Sequence, residues 1–297
     1  MMARLRRSML FVPGNNPALV KDAQVYGSDC LIFDLEDSVA PTEKDAARLL
    51  VYTALKELDY GRAERVVRVN GIDTPWFRED LEAVVRAGVD VVRLPKTETA
   101  ADIRSLEALV ATIEAASGRP SGSVRLMAAL ESPLAVINAY EIATSSPRLV
   151  GIALSAEDFV TSMRTSRSAE GVELFEARGR IVIAARAAGV MAIDTVFTDV
   201  ADEEGFLREA RLIKQMGFDG KSVITPSQIG LVHGVYRPGV EEVRRARRVI
   251  AAAEDAAAKG LGVIALDGKM IDKPIVERAR RAVELARASG MKVEEKL

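Results

Sequence analysis

The chain has little of what metal-cluster, redox and triad chemistries need. Among 297 residues there is one cysteine, Cys30, one histidine, His233, and one tryptophan. A lone cysteine forms no internal disulfide, so a reducing cytoplasm is the expected home. A single histidine excludes zinc sites built on several imidazoles. A Ser-His-Asp triad would have to use His233, and no Gly-x-Ser-x-Gly elbow accompanies it. No Walker A lysine loop or Gly-x-Gly-x-x-Gly dinucleotide motif is present. No apolar stretch approaches the ~18–20 residues that span a bilayer. The basic segment Met1–Arg7 is followed by a short apolar run ending at Pro13-Gly14, unlike a secretory signal. A net charge of −2 gives no electrostatic case for nucleic acid. Carboxylates and arginines are plentiful, and they suit Mg²⁺ and anionic substrates.

What the chain does have is a series of short apolar runs, most of them followed or interrupted by a charge. They lie at Ser8–Val12, Cys30–Leu35, Arg65–Asn70, Val91–Leu94, Val124–Leu130, Leu149–Leu154, Val190–Phe197 and Lys221–Thr225. Such runs are the pattern of parallel strands buried on both faces. Between them, apolar residues at three- and four-residue steps predict helices near 17–26, 43–58, 75–87, 100–116, 133–143, 172–188, 203–216 and 240–258. Strand alternating with helix eight times predicts an α/β fold, a (β/α)8 TIM barrel. A doubly wound open sheet would need fewer strands or a dinucleotide loop. The tail is extra to the barrel. Gly260-Leu261-Gly262 breaks the last barrel helix, so the expected division is a catalytic barrel over 1–259 and a C-terminal extension over 260–297. The extension reads as a short strand, Val263–Leu266, a tight turn at Asp267-Gly268 and a helix over Pro274–Ala288, packing on or capping a neighbouring subunit.

In a barrel of this kind the working groups sit at the C-terminal strand ends. Glu131 and Asp158 follow consecutive runs, so both carboxylates would enter one mouth. Such a pair suits Mg²⁺ completed by water and substrate oxygens. Equally, Glu131 could cap the helix at Pro133 and Asp158 could be a plain loop carboxylate. Arg68 shares a strand face with Val66 and Asn70 and should point into the barrel. A buried guanidinium there needs an anion, either substrate or a structural partner such as Asp34 or Glu36. Asp34, Glu36 and Asp37 are three acids within four residues and demand a compensating cation. Asp37 also fits a helix-entry cap. Lys96 either neutralises these acids, reaches substrate or stands in solvent. Arg244, Arg245, Arg247 and Arg248 form a basic stripe, a solvated face or a landing patch for an acidic partner or for cofactor phosphates. Asp272 stands where a helix N-cap belongs.

Several motifs recur in order: Arg7-Ser8-Met9-Leu10-Phe11-Val12-Pro13-Gly14, Phe33-Asp34-Leu35-Glu36-Asp37-Ser38-Val39, Val67-Arg68-Val69-Asn70, Arg93-Leu94-Pro95-Lys96, Glu131-Ser132-Pro133, Ala156-Glu157-Asp158 and Gly220-Lys221-Ser222. With their spacing they closely resemble the citrate lyase β / malyl-CoA lyase family, of HpcH/HpaI aldolase-like type, from Arg7 to about Gly290. The tail Leu266-Asp267-Gly268-Lys269-Met270-Ile271-Asp272 resembles that of members working inside a citrate lyase complex. Ser155 departs from the glycine common in the family, and Thr225-Pro226 from the usual His-Pro or Asn-Pro. The resemblance implies a TIM barrel, Mg²⁺ held by Glu131 and Asp158, and substrate bound by Arg68, Glu131, Ala156, Glu157 and Asp158. Arg68, Glu36, Asp37 and Asp272 form the expected catalytic set, with Asp272 acting as acid/base in a neighbouring subunit's site. The implied reaction is carbon–carbon cleavage of a citryl thioester on an acyl carrier protein, giving an acetyl thioester and oxaloacetate. Malyl-CoA, citramalyl-CoA or a related CoA ester is the alternative substrate, and a non-catalytic carrier-docking subunit the remote alternative. Implied partners are the acyl carrier and acyl-transferase subunits and further copies of the chain, as a trimer or higher. Neither nucleic acid nor membrane is an expected partner.

Overall fold

The computed structural model describes residues 4–259, 264–266 and 268–291. The strands are β1 (Ser8–Pro13), β2 (Cys30–Asp34), β3 (Glu64–Arg68), β4 (Val91–Leu94), β5 (Arg125–Leu130), β6 (Leu149–Leu154), β7 (Met191–Asp194) and β8 (Gly220–Val223). Each pairs in parallel with the next, and β8 closes on β1. The helices that follow or separate them are α1 (Pro17–Asp22), α2 (Lys44–Glu57), α3 (Phe77–Ala87), α4 (Ala100–Ala116), α5 (Pro133–Ile137), α6 (Ala139–Ala143), α7 (Ala156–Ser162), α8 (Phe175–Ala188), α9 (Glu203–Met216), α10 (Pro226–Tyr236), α11 (Val240–Ala258) and α12 (Lys273–Ala288). The (β/α)8 barrel expected from the alternation is the fold. Among the described residues no helix is long and apolar enough to cross a membrane.

The strands form where sheet and helices bury both faces. Every residue of β2 is buried, as is all of β5 after Arg125. The helices cover the barrel with one stripe each. On α3, Phe77, Leu81, Val84 and Val85 face inward, and the helix stops at Gly88 with φ 90°. The left-handed backbone is what calls for glycine there; a Cβ would meet only the movable end of the Arg119 side chain, at 2.7 Å. At the start of α4 the Asp102 carboxylate accepts from the Glu98 and Thr99 amides at 3.0 and 2.8 Å, which ties down the first turn.

Several boundaries differ from expectation, each for a local reason. The run at Val190–Phe197 yields a strand only to Asp194, because the Thr195 hydroxyl accepts from the Ala156 amide and its carbonyl accepts from Lys221 Nζ. The helix expected over 133–143 is split at Asn138, whose side-chain amide donates to the Glu98 carbonyl. Two short helices, α7 and α10, have no counterpart in the sequence reading. α10 follows β8, and Arg237-Pro238-Gly239 separates it from α11. The chain accordingly divides between His233 and Gly234, not between 259 and 260. Arg6–His233 forms the barrel unit, and α11 belongs to the other unit rather than serving as the eighth barrel helix. In that second unit α11 and α12 pack around Ala246, Val249, Ile271, Ala279 and Val283. β9 (Ile264–Leu266) and β10 (Lys269–Ile271) pair as an antiparallel hairpin. Gly260-Leu261-Gly262, Val263 and Asp267, expected as breaker, strand start and turn, lie outside the described residues.

The barrel interior fills in layers. Near the strand N-termini Arg6 clasps Glu64 through two bonds of 2.5 and 2.7 Å. Above them Met9, Ile32, Val66, Val91, Met127, Ala153 and Ile193 form an apolar cluster with Cys30. Burial pushes the Cys30 thiol well up, away from a reactive thiolate. Two residues further along their strands, the register sets Asp34, Arg68 and Arg93 side by side. By alternation they share the inward face with Ile32, Val66 and Val91.

Candidate active site

Arg68 is the centre of the first cluster. Its Nε and Nη2 bond both Asp34 carboxylate oxygens at 2.7 and 2.8 Å, a fork-to-fork pair. Its Nη1 lies 2.9 Å from Glu36 Oε2 and 3.3 Å from Asp37 Oδ2. Burial opposes the charge of Arg68, but the Asp34 bonds outweigh it and hold the guanidinium firmly protonated. Asp34 responds in kind. Burial raises its carboxyl, yet Arg68, Ser38 and the Glu36 amide together hold it below the usual range. Lys96 Nζ reaches Glu36 Oε1 at 2.6 Å, so this lysine neutralises the acids. Gly14 fits beneath: its amide bonds the Asp34 carbonyl at 2.8 Å, and a Cβ would stand 2.6 Å from that oxygen. The structural pairing weighed for Arg68 is therefore present, with Asp34 as main partner.

The second group is less complete. Glu131, at the end of β5, is buried, and only one of its oxygens is engaged: Oε1 accepts from Ser155 Oγ at 3.1 Å. Oε2 is buried with no hydrogen-bond partner among the described residues. Burial first, then the Glu36 and Asp158 carboxylates, push the Glu131 carboxyl up to about 7. Asp158, half-buried in the first turn of α7, is thus close enough to bear on Glu131. Arg93 stands in the Arg93-Leu94-Pro95-Lys96 motif but not among the expected site residues, although its alternation with Val91 marks it as inward. It is fully buried, with Nε and Nη1 unpartnered among the described residues. Its Nη2 lies 3.5 Å from Ser155 Oγ, and its guanidinium shares the Phe11 ring with Arg68, at 5.4 and 5.0 Å. Burial and then the neighbouring Arg68 lower it to about 10, leaving it charged at neutral pH.

Other expected residues lie elsewhere. Glu157 is exposed and bonds Arg167 at 3.0 Å, so its side chain does not join the group. The Ala156 amide donates to Thr195 Oγ1 at 2.9 Å and is therefore occupied. Asp37 is exposed at the edge of the Arg68 cluster. Asp272 belongs to the second unit, where Oδ1 accepts from the Ile275 amide at 3.1 Å and caps α12. His233 bonds Ser8 Oγ at 2.8 Å, at the start of β1 and so away from the C-terminal strand ends. Lys221 serves structure. With Arg178, Asp194 and Glu209 it forms a buried cluster: Lys221 Nζ lies 3.0 Å from Asp194 and 2.6 Å from Glu209. Arg178 bonds both Asp194 oxygens at 2.9 and 3.0 Å.

Among the described residues no three His, Cys, Asp or Glu side chains gather around one point. A cation at this mouth would rest on two carboxylates, Glu131 and Asp158, with water and substrate completing its shell. That is how Mg²⁺ is commonly held. The unclaimed Glu131 Oε2 fits such a cation, whereas the oxygens of Asp34 are already occupied by Arg68.

Residues 7–226 match the sequence profile of the family described as HpcH/HpaI aldolase/citrate lyase. The citrate lyase subunit beta of Leuconostoc mesenteroides subsp. cremoris is 57% identical over 288 residues, 97% of this chain and 95% of that one. The solved structure of CitE from Mycobacterium tuberculosis with magnesium, acetoacetate and coenzyme A has a TM-score of 0.76 at 33% identity, covering 97% of this chain and 100% of that one. The citrate lyase beta subunit of M. tuberculosis complexed with oxaloacetate and magnesium has a TM-score of 0.67 at 34% identity, covering 80% of this chain and 99% of that one.

Proposed function

The chain belongs to the HpcH/HpaI aldolase/citrate lyase family, and from that premise we propose that it is a Mg²⁺-dependent carbon–carbon lyase. Its substrate is a citryl thioester on an acyl carrier protein, and its products are an acetyl thioester and oxaloacetate. One observation carries this reading: Glu131 is a buried carboxylate with an unclaimed oxygen, beside Asp158 and at the strand ends that hold a fixed guanidinium, Arg68. Mg²⁺ on Glu131 and Asp158 would acidify the substrate hydroxyl and stabilise the ketone oxygen formed from it. The hydroxyl gives its proton to the carboxylate proposed as the acid/base, Asp272 of a neighbouring subunit, and the carbon–carbon bond breaks. The electron pair then passes to the carbon next to the thioester carbonyl, which becomes an enolate. Arg68 supplies positive charge for that enolate oxygen. Because Asp34 and Glu36 already hold it, little reorganisation accompanies the reaction. Glu36, Asp37 and Lys96 set the charge around Arg68. The enolate carbon finally takes a proton, and Asp272 of a neighbouring subunit is proposed as the acid/base. Mixing Asp272→Ala with Glu131→Ala protein should then restore activity that neither has alone. No recovery after verified subunit exchange would remove Asp272 from the mechanism.

The acyl carrier and acyl-transferase subunits are the proposed partners, with the α11 arginines receiving the acidic carrier. Reversing Arg245 and Arg247 to glutamate should raise KM for citryl carrier protein while leaving citryl-CoA unaffected. The second reading, a CoA-ester lyase, draws on the coenzyme A bound to the M. tuberculosis relative. Oxaloacetate release from citryl carrier protein, assayed beside malyl-, citramalyl- and citryl-CoA with Mg²⁺, separates the two. Faster turnover of a CoA ester would overturn the carrier-protein reading.

A further inference from the structure

Ser155 occupies the residue before α7, where a serine hydroxyl ordinarily accepts from a first-turn amide. Here it makes no such cap. Its backbone amide continues the ladder from β6 by donating to the Leu130 carbonyl at 3.0 Å. The next amide, of Ala156, is tied to Thr195 Oγ1 at 2.9 Å. With the backbone held on both sides, the hydroxyl stands between two buried groups, Arg93 Nη2 at 3.5 Å and Glu131 Oε1 at 3.1 Å. A hydroxyl has a single hydrogen. Arginine can only donate, so that hydrogen goes to Glu131. One carboxylate oxygen is thereby engaged and the other, Oε2, is left without a partner among the described residues.

We infer that Ser155 is a positioning residue: it relays the buried Arg93 to Glu131 and turns the carboxylate so that Oε2 receives the cation. The inference rests on Glu131 being a Mg²⁺ ligand, and it goes further by assigning the group that orients that ligand. The test is calorimetric titration of Mg²⁺ into the full-length protein without substrate, for wild type, Ser155→Ala, Ser155→Thr and Glu131→Gln, with thermal melting of each. Ser155→Ala should weaken Mg²⁺ binding by about 10- to 100-fold, the usual cost of removing a ligand's orienting partner. Ser155→Thr, which keeps the hydroxyl, should stay within about threefold of wild type with an unchanged melting temperature, while Ser155→Ala, which strips Glu131 Oε1 of its partner, should still melt cooperatively a few degrees lower. Wild-type affinity in Ser155→Ala, or equal weakness in Ala and Thr variants, overturns the role of Ser155. Wild-type affinity in Glu131→Gln overturns the ligand assignment instead, and the inference with it.

Discussion

Two clusters of buried charge sit in the barrel unit and differ in how completely they are closed. Arg178, Asp194, Glu209 and Lys221 balance two cations against two anions, and each finds an opposite charge within 3.0 Å. Burial pushes the Asp194 carboxyl up, but Lys221 and then Arg178 overcome this and hold it down at about 2. At the strand ends, Arg68 and Asp34 are closed in the same way, but Arg93 and Glu131 are not. The same burial that Asp194 survives drives Glu131 to about 7, because the Glu36 and Asp158 carboxylates add to it and Arg68 and Arg93 do not offset the sum. A buried polar atom without a partner costs stability and persists where a ligand supplies the missing contact. The closed cluster thus has the character of a structural element, and the open one is the proposed working site.

Exchanging parts between the two clusters should give opposite results. Glu131→Ala or Asp158→Ala should cut Mg²⁺-dependent cleavage on the order of a thousandfold or more, while the melting temperature holds or rises, since an unpaired carboxylate is lost. Normal turnover in either variant would remove the metal assignment. Asp194→Asn should do the reverse. It leaves Lys221 and Arg178 short of an anion and should cost about 3–5 kcal/mol in urea unfolding, with turnover per folded molecule retained. Arg68→Lys should lower kcat about 100-fold at saturating substrate, because lysine lacks the fork that Asp34 holds. A change confined to KM would make Arg68 a ground-state anchor.

The closed cluster also has a pH signature. Asp194 titrates near 2 when folded and near ~3.9 when unfolded. Its contribution is thus complete above about pH 4 and lost as the pH falls from there to about 2, worth ~2–3 kcal/mol. Acid titration of stability should show this limb in wild type and lose it in Asp194→Asn. The smallest effect belongs to Lys96→Ala. Half-exposed, Lys96 contributes ~1 kcal/mol or less through its pair with Glu36, and unfolding with kinetics should show a shift of that size.

Much of the candidate site is legible along the chain because strand ends are marked by a change from apolar to charged residues. Arg68, Glu36, Glu131 and Asp158 all fall at such points, and alternation correctly sends Arg68 inward. Arg93 carries the same alternation signal, but nothing local tells it apart from a surface arginine until its neighbours are known. Glu157 sits between two group members in sequence, yet helix geometry turns it outward to Arg167. The Thr195 hydroxyl, which truncates β7, bonds an amide 39 residues away, beyond any local window. α10 escapes because Gly230 and Gly234 interrupt its stripe, and the longer, more regular α11 stands in its place.

Taken alone, the order of residues determines the barrel, since eight doubly buried strands need eight apolar runs and each intervening helix needs one apolar stripe. It also determines that carboxylates and an arginine stand at the strand ends. Only the tertiary structure decides which charge meets which. That choice depends on strand register and on how far each side chain reaches across the barrel, and neither is written in local spacing. The register sets Arg68 against Asp34 rather than Glu131, and so leaves Glu131 as the acid with an oxygen to offer.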